Sequence, residues 1–157
     1  MKATITSQLN ISPEDAWYLV KKSSTLIFIT KGLLSFSDND HFPAEWVEDS
    51  TVASRLRFFG LIPAWKHQLH FQKVSDSELE ITTEEQGGIV SKWKHRIKIS
   101  SMHKGATSLY SDEIEIEAGL LTPIVWLYAN LFYRYRQLRW KRLVSHNRSA
   151  TATNLRR

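Results

Sequence analysis

From Lys2 to Ile11, Ala3, Ile5, Ser7, Leu9 and Ile11 alternate with Thr4, Thr6, Gln8 and Asn10. A period of two is the mark of a strand with one buried face, so a first strand is expected here. The pattern breaks at Ser12-Pro13-Glu14-Asp15. Ser suits a helix cap, Pro the first helical position, and the two acids the turn that the helix dipole favours. A short helix to about Val20 is expected, then a second short helix or turn over 24–30 that stops at Gly32. Gly32, Asp38, Asn39, Asp40 and Pro43 make 33–44 a loop with at most a brief strand.

From Trp46 onward the chain reads as a meander, with strands expected at about 46–59, 64–74, 78–86, 89–101 and 106–118. The joints are Gly60 with Pro63, Ser75-Asp76-Ser77, Gly87-Gly88 and His103-Lys104-Gly105. Joints this short connect antiparallel neighbours. Thr122-Pro123 then repeats the cap-and-proline start, and no Gly or Pro follows. One helix of roughly seven turns is expected from about Leu120 to Val144, with 147–157 as a flexible basic tail. The fold class is α+β, a single domain over 1–146. A curved antiparallel sheet of six or seven strands wraps a long C-terminal helix, with two short helices after the first strand.

This order resembles the START-like superfamily, also called SRPBCC or helix-grip, which includes polyketide cyclase-like, birch-pollen-allergen-like and lipid-transfer proteins. The local carriers are Asn10-Ile11-Ser12-Pro13-Glu14-Asp15-Ala16-Trp17, Asp112-Glu113-Ile114-Glu115-Ile116, and Leu131-Phe132-Tyr133-Arg134-Tyr135-Arg136-Gln137-Leu138. The resemblance implies an apolar ligand cavity under the helix. It implies no reaction, because the superfamily has no shared catalytic motif.

Strand parity separates two faces. Val52, Leu56, Phe58, Trp65, Leu69, Phe71, Leu79, Ile81, Thr83, Trp93, Ile97, Ile99, Tyr110, Ile114 and Ile116 share the concave one. Lys, Arg and Glu fill the other, which is expected to be solvated. Ser54, His67, His95 and Asp112 interrupt the apolar face. A tight turn at His103-Lys104-Gly105 would place His95 nearly opposite Asp112, where a carboxylate could orient the imidazole and raise its pKa. Such a pair can be a general base, a ligand-orienting donor, or two buried groups that satisfy each other. His67 reads first as a satisfied core residue. Zinc on His67, His95 and Asp112 lacks any ligand motif, so no metal is expected.

Six Trp, five Tyr and seven Phe are more large rigid side chains than a solid core of 157 residues needs, and such residues suit cavity walls. In the last helix Leu120, Ile124, Leu127, Leu131 and Leu138 follow helical spacing and are expected to pack on the sheet. Trp126, Tyr133 and Trp140 form a second line.

The absence of cysteine removes disulfides and thiolate chemistry. The start Met-Lys-Ala-Thr-Ile-Thr has no apolar signal region, so a cytoplasmic location is expected. The net charge of +5 is carried by the end of the chain. Eight basic and no acidic residues lie in 134–157, which leaves about −3 on 1–133. That segment complements the helix dipole and could also touch an anionic membrane surface. No nucleic-acid motif accompanies it. Phosphate-loop and GxSxG patterns are absent, and Glu84 and Glu85, adjacent on a strand, point to opposite faces.

These readings lead to binding or transport of a small hydrophobic ligand, aromatic, polyketide-like or lipid-like, with no cofactor. The expected walls are Trp65, Trp93, Tyr110, Trp126 and Tyr133, and the expected polar contacts are His67, His95 and Asp112. Two alternatives stay open: a cyclase or aromatase using His95 with Asp112, and a membrane or partner contact through the last helix.

Overall fold

The computed structural model describes the backbone of residues 1–154 and the side chains of 1–146. It contains seven strands, β1 (Lys2–Leu9), β2 (Leu34–Phe36), β3 (Thr51–Phe58), β4 (Ile62–Ser75), β5 (Glu80–Gly87), β6 (Val90–Met102) and β7 (Thr107–Glu117). Three helices accompany them, α1 (Pro13–Val20), α2 (Ser23–Thr30) and α3 (Thr122–Asn154). All strands pair antiparallel in one sheet of order β1-β7-β6-β5-β4-β3-β2. The first strand therefore closes against the last, and the α1–α2 segment carries the chain across to the far edge.

α1 starts where the cap grammar places it: Ser12 Oγ accepts from the Asp15 N–H at 3.1 Å, with Pro13 in the first turn. Residues 46–50 differ from expectation. They form a loop ahead of β3: the Trp46 N–H donates to Lys21 O, away from the sheet, and Asp49, whose φ is +57°, turns the chain before the regular ladder begins, although its N–H still donates to Phe71 O. α3 runs ten residues beyond the expected Val144. Of the basic tail expected at 147–157, the side chains, and at 155–157 the backbone also, lie outside the described residues.

The face that α3 turns to the sheet is a correction. Ala129, Phe132, Tyr133, Arg136, Gln137, Trp140 and Val144 are buried, whereas Leu120 is fully exposed and Leu131 is 61% exposed, with Ile124, Leu127 and Leu138 similar. Both stripes have helical spacing, so periodicity alone could not choose between them. Hydrogen bonding and ring packing decided it. Gln137 Nε2 donates to Ile5 O at 2.5 Å, and the Trp140 ring packs on Tyr110 with centroids 5.0 Å apart. A buried aromatic of this size removes 150–250 Å² from water, worth about 4–6 kcal/mol.

The core has two parts along α3. One gathers Leu9, Trp17, Val20, Ile29, Trp46, Phe71, Ile99, Tyr110 and Trp140. The other gathers Ile5, Ile114, Ile116, Ala129, Phe132 and Tyr133. On the β3–β5 side the sheet curls away from α3, and a cleft opens there.

Candidate functional site

The cleft is lined from four directions. Leu26 and Thr30 come from α2, Leu56 and Phe58 from β3, Trp65, His67 and Leu69 from β4, and Tyr128, Phe132, Tyr133 and Arg136 from α3. Glu85, Gly87, Val90 and Trp93 complete the wall. Its cavity volume is about 80 Å³, inside about 690 Å³ of empty space counted out to the open mouth. The surface is mostly apolar, and its rings are held by their neighbours. Phe58 meets Trp65 and Tyr128 edge-on at 5.7 and 6.0 Å. Burial pushes the Tyr128 phenol up to about 12, so the ring presents a neutral hydroxyl.

Trp65 lies flat over the β5–β6 turn. A Cβ on Gly88, whose φ is +64°, would come within 2.6 Å of the indole, so glycine is required both for the turn and for the ring above it.

Behind the wall runs a chain of buried polar groups. His67 Nε2 lies 2.9 Å from Glu85 Oε2, and Glu85 Oε1 lies 3.6 Å from His95 Nδ1. His95 Nε2 is 2.7 Å from Asp112 Oδ1, which also accepts from Tyr110 Oη at 2.9 Å. Gln137 Nε2 donates to Asp112 Oδ2 at 3.3 Å, and Arg136 Nη2 stands 3.9 Å from Oδ1. The ladder sets His95 opposite Ile114 and Ile97 opposite Asp112, so the pair meets diagonally, a separation that long side chains can span.

Charge follows this geometry. Burial acts to raise Asp112, but the Arg136 charge and the His95 hydrogen bond outweigh it and hold the carboxyl below its usual range. Burial acts to lower His95, but its hydrogen bonds to the carboxylates of Asp112 and Glu85 outweigh it and hold the imidazole above its usual value. Glu85 is likewise held down, by His67 and His95 against the effect of burial.

The expected site residues separate into three groups. Trp65, His67, Trp93 and Tyr133 line the cleft. His95, Tyr110 and Asp112 lie beneath it, fully or almost fully buried, with the Tyr133 ring 4.7 Å from the His95 ring. Trp126 stands apart, its Nε1 donating to Lys2 O at 2.8 Å on the β1 edge. Both His95 nitrogens face carboxylates, so the imidazole has no free edge with which to take a proton from a bound molecule. Among the described residues no three His, Asp or Glu side chains are placed to hold a metal ion.

Two charged residues of the wall escaped the sequence reading, as did Phe58, Tyr128 and Phe132 as walls of the cleft. Glu85 shares the parity of Ile81 and Thr83, which was the available signal, but it had been weighed only as a partner for Glu84. Arg136 had been counted with the solvated basic segment, yet it is 4% exposed, packed 4.8 Å over the Tyr133 ring. Its place beside Tyr133 at helical spacing from Phe132 and Trp140 was the only hint.

No family model matches the chain, and no curated protein matches it. Solved structures do. A START superfamily protein from Mycobacterium smegmatis superposes with a TM-score of 0.67 at 15% identity, over 92% of this chain and 97% of that one. The major latex-like protein of Panax ginseng gives 0.63 at 11% identity, over 93% and 96%. The di-domain ARO/CYC BexL of the BE-7585A biosynthetic pathway gives 0.62 at 13% identity, over 92% of this chain and 46% of that one. At these identities the likeness is one of fold: the chain has the START-like helix-grip fold.

Proposed function

We propose that this protein binds a small hydrophobic molecule in the cleft between α3 and strands β3–β6. The observation that carries the reading is the lining itself: Phe58, Trp65, Trp93, Tyr128, Phe132 and Tyr133 around a partly enclosed volume. Ligand pockets are of this kind, mostly apolar with a few placed polar groups. The small interior suits a ring or a short chain, with any further length lying toward the mouth. Fluorescence titration with the neutral probe N-phenyl-1-naphthylamine tests the reading. Saturable enhancement, with one probe per chain by native mass spectrometry, is expected. Absence of binding would sink it.

A second reading concerns the outside of α3 and rests on a separate observation. Leu120 and Leu121 are exposed in the turn before α3, Ile124, Leu127 and Leu131 on the helix itself, and Phe59, Leu61, Ile62 and Ile89 on the two hairpins that flank the cleft. The described part of α3 exposes Arg134, Lys141 and Arg142, and the helix contains no acidic residue. An apolar rim beside a basic stretch fits an anionic lipid surface. Among the described residues no helix is long and apolar enough to cross a membrane. The test is flotation with phosphatidylserine-containing vesicles. Binding is expected to fall at least fivefold in Ile124→Asp/Leu127→Asp, and equal flotation of the variant would refute the reading.

The cyclase-type alternative has no such support. It needs His95 to reach a substrate, and both ring nitrogens are directed at Glu85 and Asp112.

A further inference from the structure

Three buried polar atoms without a protein partner belong to residues that line the cleft, and they specify more than an apolar ligand. Trp65 Nε1, His67 Nδ1 and Arg136 Nε are buried and unpartnered, and all three residues line the same space. A buried N–H left unmet costs about 1–3 kcal/mol, and more when the group is charged. Arg136 is the most telling of the three. Its Nη2 reaches Tyr110 Oη only at 3.5 Å and Asp112 Oδ1 only at 3.9 Å. Good charge-assisted contacts run at about 2.7–2.9 Å. Asp112, by contrast, already has His95 and Tyr110 at short range. The guanidinium is therefore a buried cation that shares its nearest acid with two closer partners.

His67 adds a complementary feature. Its Nε2 lies against the Glu85 carboxylate at 2.9 Å, an atom that can only accept, so the ring proton sits on Nε2. In the singly protonated ring Nδ1 then offers a lone pair to the cleft. The residues of the wall thus carry two N–H donors, one of them cationic, and one nitrogen able to accept a proton.

We infer that the ligand is an apolar carboxylic acid whose carboxyl group is held by Arg136 Nε–H and Trp65 Nε1–H while His67 Nδ1 shares its proton. The inference rests on the ligand-binding reading above and narrows its chemistry. At pH 7 the acid arrives as its carboxylate, so one proton taken up from solvent accompanies binding and the cleft gains no net charge. A neutral ester of the same shape would fill the apolar walls equally well. It would lack the anionic oxygens that complete Arg136 and the proton that meets His67.

The matched pair 2-naphthoic acid and methyl 2-naphthoate tests this by displacement of N-phenyl-1-naphthylamine at pH 7. The acid is expected to bind at least tenfold more tightly than the ester. Trp65→Phe, which removes the indole N–H, and Arg136→Lys, which replaces the guanidinium fork by a single ammonium, are expected to weaken the acid at least fivefold more than they weaken the ester. Trp65→Phe, at a partly exposed position, keeps the test open should Arg136→Lys fail to fold. If the probe and ester bind but the acid is no tighter, the carboxylic-acid inference is overturned and the apolar-ligand reading stands. An acid preference that survives both variants also overturns it. If neither probe nor naphthoate binds, both readings fall.

Discussion

Replacing Asp112 by Asn removes one charge and almost no volume, and the structure says what that charge holds. Asp112 is fully buried and its oxygens receive His95 at 2.7 Å, Tyr110 at 2.9 Å and Gln137 at 3.3 Å, with Arg136 at 3.9 Å. In the variant the Arg136 guanidinium keeps its burial and loses its nearest counter-charge, and His95 loses the group that holds its pKa up. Breaking a buried pair from one side costs about 3–5 kcal/mol. That is a large part of a domain's net stability of about 5–15 kcal/mol. At about 2–4 °C per kcal/mol for a chain of this size, Tm should fall by roughly 6–20 °C. The pH dependence has a definite sign. The depressed carboxyl contributes above its ordinary range and is lost as pH falls through its folded value. The raised imidazole contributes below its ordinary value and is lost as pH rises through its folded one. The penalty is therefore largest between those two limits and shrinks in acid, where wild-type Asp112 is itself protonated. Urea unfolding of both proteins at pH 7 and at a pH well below the ordinary carboxylate range, with Arg136→Met and the double variant to close the cycle, measures it. A loss under about 1 kcal/mol at pH 7 with unchanged urea dependence, or additive single effects, would refute the charge assignment.

Three further outcomes follow from local geometry. Gly88→Ala forces a Cβ into the Trp65 indole at a φ of +64°, so a loss of about 1–3 kcal/mol with altered Trp fluorescence is expected; an unchanged Tm would show that the ring is free to move. Ser12→Ala removes the acceptor for the Asp15 N–H and should lower stability by about 1 kcal/mol in chemical denaturation, whereas a neutral result would mean that the cap contributes nothing. Glu80, under Arg96, Lys98 and Lys73 on the outer face, is held down to about 2 chiefly by its hydrogen bond to Arg96. Its contribution is complete above about pH 4.5 and is lost toward pH 2, so wild type and Glu80→Gln should differ in Tm at pH 6 and converge at pH 2. A constant gap would place the effect in packing instead.

The element order, the antiparallel pairing and the inward parity of Trp65, His67, Trp93, His95, Tyr110 and Asp112 could all be read from the chain. They follow from local rules, because a strand's period of two and a helix start each involve only a few neighbouring residues. Even the meeting of His95 with Asp112 was within reach, since one hairpin turn sets the register of both. What lay beyond reach was every choice between two faces that obey the same period. α3 has a leucine stripe and an aromatic stripe, both helical, and only the curled sheet, with Ile5 O and Asp112 waiting for Gln137 and a gap shaped for Trp140, selects the second. The same selection buries Arg136, which as sequence is one more cation in a basic run, and brings it to a cleft wall built from strands at least 43 residues earlier. Periodicity reports which residues share a face. What that face meets is set by partners distant in the chain, and here it decides both where the cleft lies and which polar residues line it.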